Sequence, residues 1–148
     1  MAECLDDSRL TAVASKLTPR KYIAFVDSVY DFPLRRHPWH RCFIRFVGVG
    51  MPKDEPEEFK TSSMCTPIEP CSEHPAGRES LQTSKPFPFP NCYQHSFVWA
   101  TVRIPTRDIH HDDAVIVSFE ERVRHEQYLS EDWAQHQALR AQQSEYDF

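Results

Sequence analysis

Cys71 and His74 stand three positions apart, and after seventeen intervening residues Cys92 and His95 repeat the spacing, with Cys65 six positions before the first pair. Two such pairs, each able to reach one ion from a tight turn, are how a tetrahedral zinc site is written. The pairs are Cys-x2-His rather than Cys-x2-Cys, so unrelated surface histidines and buried thiols are the readier account of them. A zinc ion on Cys71, His74, Cys92 and His95 would matter most for folding, because it would lend energy to a stretch with little apolar content.

Three other groupings carry chemistry. In the run Asp108-Ile109-His110-His111-Asp112-Asp113, His110 and Asp112 form the His-x-Asp start of a metal-dependent oxygenase triad, with His125 or His136 to complete it. That fold class uses about eight strands, more than this chain shows. Arg35, Arg36 and Arg41 surround Trp39, a basic and aromatic connector able to stack on a base and hold phosphate. Cys92 with His95, or Cys42 with His40, could form a thiol dyad, but neither lies in a local signature of one.

The residues that would meet a protein partner are of another kind. Lys85-Pro86-Phe87-Pro88-Phe89-Pro90 cannot be helix and should run extended in a polyproline-like course, displaying Phe87 and Phe89. Trp39 belongs with them as a displayed aromatic.

The elements positioning these groups follow from periodicity and turn chemistry. Leu10, Val13, Ala14 and Leu17 predict a short amphipathic helix over 7–17. Thr18-Pro19 then offers a cap and a first-turn proline, which predicts a second helix over about 19–30. Alternation predicts strands over 41–49, 96–104 and 114–119, and the Glu-, Arg- and Gln-rich stretch after Phe119 predicts a helix or broken helix pair over about 120–143. Residues 51–94 hold 8 of the 12 prolines and few large apolar side chains, and read as a long loop insertion that is disordered, laid on the surface or tied by something other than apolar burial. The expected fold is α+β: a small antiparallel sheet of about three strands, N-terminal helices, a C-terminal helix and the proline-rich insertion, all in one domain over 1–148.

Composition limits the function classes. With 3 glycines in 148 residues there is no glycine-built phosphate loop. The runs 42–51 and 96–104 are cut by Arg45 and Arg103 and fall short of the roughly 18 apolar residues of a membrane span. The acidic start lacks the features of a signal peptide, and five cysteines make an odd count, so an intracellular protein with free thiols is expected. Net charge is -5, with +3 on residues 1–50 and -8 on the rest. An acidic total disfavours a polyanion partner. The expectation is therefore a non-catalytic interaction or regulatory module that presents its Pro/aromatic segment to a protein partner, with zinc as a stabiliser. The alternatives are a metal-dependent enzyme at His110 and Asp112, or a nucleic-acid-binding module at Arg35, Arg36 and Arg41.

Overall fold

Residues 41–49 alternate as a strand should, and in the computed structural model they form most of β2 (Trp39–Val49), one of two strands with neighbours on both sides. The structure describes residues 12–13, 15–18, 20–32, 34, 36–106 and 114–146. Four antiparallel strands make the sheet in the order β1-β2-β4-β3: β1 (Ile23–Val29), β2, β3 (Cys65–Ile68) and β4 (Cys92–Pro105). One long helix, α1 (Phe119–Tyr146), follows. This is a more strand-rich arrangement than the expected three strands with N-terminal helices.

The first correction concerns 19–30, where β1 replaces the expected second helix. Ile23, Val26 and Val29 are β-branched and lose side-chain freedom in a helix, whereas a pleated strand accommodates them. Pairing with β2 from Ile23↔Val47 to Val29↔Cys42 supplies the backbone partners, so the Thr-Pro start signal is overridden by a long-range edge. Asp27 sits where the register shifts, and there its carboxylate lies 3.3 Å from Arg45 of β2. The first expected helix, 7–17, lies largely outside the described residues, of which Ala12 and Val13 have helical backbone.

The second correction is the added strand β3. Pro67 hides it from a sequence reading, since proline removes a ladder donor. Here β3 lies at the end of the sheet order, and β4 pairs with it from Cys65↔His95 to Ile68↔Cys92. Its outer side is not left open: Leu81 returns beside it, donating from its N–H to Pro67 O at 2.8 Å while its own carbonyl accepts from Glu69. The stretch read as loop thus supplies Met64, Cys65, Ile68, Leu81, Cys92 and Tyr93 to the core, alongside Cys42, Ile44 and Leu129.

Residues 114–119 are the third correction. Val117 makes one antiparallel bridge to Thr83, and Ser84 donates to Ile116 O, but no strand forms. Ser118, in the sequence Ser118-x-x-Glu121, instead caps the helix that follows: its Oγ accepts from the Glu121 N–H at 3.3 Å, and α1 starts at Phe119. The other strands match their expected places, with β4 extended at its start to Cys92. Between Arg45↔Trp99 and Val47↔Gln94, four β4 residues oppose Phe46 alone, a bulge that curls the sheet. The helix turns His125, Leu129 and Asp132 inward, a one-turn repeat in which two of three residues are polar.

Candidate functional site

The proline-rich segment is tied by a buried ion pair. Arg78, its side chain only 9% exposed, makes a fork to Asp132 of α1, with Nη1 to Oδ2 at 2.9 Å and Nη2 to Oδ1 at 2.6 Å. Nη1 also donates to Cys65 O at 3.0 Å, and the guanidinium lies over the Tyr128 ring, 4.9 Å from its centroid. Asp132 is fully buried and takes a further hydrogen bond from Ser96 Oγ of β4 at 2.5 Å. One arginine therefore joins the segment, β3 and the helix, and Asp132 carries the connection on to β4. Such a pair is costly to bury but far costlier to half-remove.

Above this hub the segment crosses back over the sheet and encloses a cavity of about 290 Å³. Ile23 and Phe25 of β1, Val47 of β2, and Phe87, Pro88 and Phe89 of the segment line it. Phe87 and Phe89 meet edge to face, 5.9 Å between centroids, and Phe89 stays 44% exposed at the mouth. Ile68, Leu81, Gln94 and His125 also line the cavity, and no lining side chain carries a formal charge at neutral pH.

Gln94 and His125 are the polar pair of this cavity. Gln94 Nε2 donates to His95 O at 2.7 Å, which turns Oε1 toward His125 Nε2, 2.5 Å away. Nε2 of His125 is therefore the protonated nitrogen. Burial, and then the charge of Arg45, pulls the His125 pKa down to about 4, with Asp27 acting against them, so the ring is neutral at pH 7. Its edge packs against Phe25, 6.1 Å between centroids.

The candidate zinc residues are each engaged by other partners. His74 uses both ring nitrogens: Nε2 donates to Ser63 O at 2.9 Å, eleven positions back in the chain, and Nδ1 accepts from the Ala76 and Arg78 N–H groups of its own turn. His95 Nε2 donates to Gly50 O at 3.2 Å, its ring against Gly48 so closely that a Cβ there would come within 2.7 Å. Cys92 is buried with Sγ 3.6 Å from Pro90 O, while Cys71 Sγ lies 3.9 Å from Asn91 Oδ1. Among the described residues, no three His, Cys, Asp or Glu side chains gather around a point where one ion would fit.

The remaining candidates divide similarly. Burial pushes the Cys65 thiol up to about 12 and raises Cys42 and Cys92 as well, the opposite of an activated nucleophile. His40 is hydrogen-bonded to Thr106 Oγ1 and is not turned over to Cys42. His110, Asp112 and Arg35 lie outside the described residues. Of the histidines offered as their partners, His125 commits Nε2 to Gln94 and His136 commits Nε2 to Glu58 O, the latter ringed by Phe59, Phe97 and Trp133. In the basic connector, Trp39 is 55% exposed and Arg36 is exposed, but Arg41 forks onto Asp31, whose carboxyl the hydrogen bonds from Arg41 bring down to about 2.

Sequence reasoning singled out Phe87 and Phe89 but not Gln94, Arg78, Asp132 or the cavity position of His125. The available signal was in the helix, where His125 and Asp132 occupy the stripe that apolar residues would fill on an ordinary amphipathic helix. No helix among the described residues is long and apolar enough to cross a membrane. The fold and site together define a four-stranded curled sheet with one long helix and an uncharged pocket at the β1 end. No protein family, curated protein or solved structure matches the chain.

Proposed function

We propose that the chain is a binding module whose pocket, walled by the Pro-Phe run and by β1, receives an apolar side chain of a protein partner. The observation that carries this reading is the placement of Phe87 and Phe89: the two residues the sequence offers to a partner line an uncharged cavity, and one of them stands half-exposed at its mouth. Pockets of roughly 300 Å³ lined by apolar side chains with a few convergent polar groups are where ligands and anchor residues seat. Catalysis is less well supported, because the described thiols with a resolved shift are raised rather than activated and the cavity histidine is held neutral by its surroundings.

The test uses peptides selected from a randomised display library on the immobilised full chain, with affinities then measured in solution by fluorescence anisotropy. Replacing both Phe87 and Phe89 by alanine is expected to weaken capture about tenfold or more, with the circular dichroism spectrum unchanged. Undiminished capture by that folded variant would overturn the proposal.

A further inference from the structure

His125 is 3% exposed, lines the cavity, and spends Nε2–H on Gln94. Its Nδ1 is then an acceptor with no hydrogen-bond partner among the described residues, yet it is absent from the polar atoms that are both unpartnered and sealed from solvent. For so buried a ring, the remaining access is through the cavity it lines. An unpaired acceptor in an apolar pocket is an unmet demand, and a donor placed there gains more than it would in water.

That demand narrows the occupant. A charged side chain would be stripped of water with no counter-charge in the lining, and an aliphatic one would desolvate Nδ1 and leave it unpaired. The cavity of about 290 Å³ leaves room for a two-ring aromatic. Phe25, Phe87 and Phe89 supply aromatic surfaces around it. We propose that the pocket takes a tryptophan side chain of the partner, seated between the Pro-Phe run and β1 with its indole N–H donated to His125 Nδ1. The proposal rests on the reading of this pocket as a partner-docking site. It uses the tendency of buried tryptophan to bring one polar handle into an otherwise apolar contact.

The experiment titrates the full chain, labelled with nitrogen-15 at histidine and carbon-13 at phenylalanine, with N-acetyl-tryptophanamide and with the matching capped benzothienylalanine, in which sulfur replaces the N–H. The tryptophan compound is expected to bind about tenfold tighter and to shift the His125 Nδ1 resonance, while the sulfur isostere leaves that resonance in place. Equal affinities, or a tryptophan complex in which Nδ1 does not move, would overturn the donor pairing while leaving the pocket as a docking site. If neither compound perturbs Phe87, Phe89 or His125, the docking reading fails and the tryptophan inference with it. The isostere comparison is made on the unaltered protein, so it stands whether or not a His125→Leu variant folds; where that variant does fold, it is expected to lose the discrimination.

Discussion

The two halves of the proline-rich segment are held by different means. From Ser63 to Leu81 the chain buries Met64, Cys65, Ile68 and Leu81 and is pinned besides by polar groups, with His74 and Arg78 both donating to Ser63 O and Arg78 forked onto Asp132. From Phe87 to Phe89 the contacts are apolar: the two rings meet each other, and both stand beside the cavity. The first half is anchored to the fold by groups that cannot leave without exposing a buried charge. The second keeps apolar surface in reserve. Rigidity in one half and available surface in the other is what a pocket wall on a scaffold requires.

That contrast is most directly broken at Arg78. Arg78→Ala strands the Asp132 carboxylate in the core and should cost about 3–5 kcal/mol in urea denaturation, whereas Phe89→Ala, at a half-exposed position, should cost about 1 kcal/mol or less. A small loss at Arg78 would mean that the segment is held by something other than this pair. If Asp132→Ala is combined with Arg78→Ala, the double variant should lose less than the sum of the two, because the stranded charge is gone.

The next largest effect is a pH dependence centred on the pocket. His125 titrates at about 4 in the fold against 6.5 when exposed, so between these values the unfolded chain binds the extra proton. Its contribution is complete above about pH 6.5, declines as pH falls through this window and is gone below about pH 4. The full change is on the order of 3 kcal/mol. Denaturation of the protein and of a folded His125→Gln variant across about pH 4–7 isolates this slope; parallel curves would count against a buried neutral ring.

The smallest expected effect concerns metal. With Arg78 and His74 ordering the first half of the segment, a chelator should leave the melting temperature unchanged. A fall that zinc restores, and that Cys71→Ser abolishes, would instead place an ion at Cys71, His74, Cys92 and His95 and make it a second source of the segment's order.

Much of the sheet was legible from local pattern. The alternation of 41–49 and 96–104 led to β2 and β4, and the composition after Phe119 to α1. What misled was a local signal competing with a distant edge: Thr18-Pro19 argues for a helix until β2 is present to pair with Ile23–Val29. Pro67 argued against β3 until the end of the sheet made its missing donor tolerable. The Ser118-x-x-Glu121 cap was in plain view, and reading it would have ended the expected strand at 114–119 one residue before the helix.

By itself, then, the sequence determined the strands whose side-chain period is unbroken, the long polar helix, and the Phe87–Phe89 pair as aromatic surface set apart by prolines. These are properties of neighbouring residues, and neighbours in the chain suffice to express them. Only the tertiary structure decided that Arg78 meets Asp132 across 54 positions and that Gln94 meets His125 across 31. A polar residue is read from sequence as exposed because burial without a partner is expensive, and the partner that removes that cost is known only when the chain has folded.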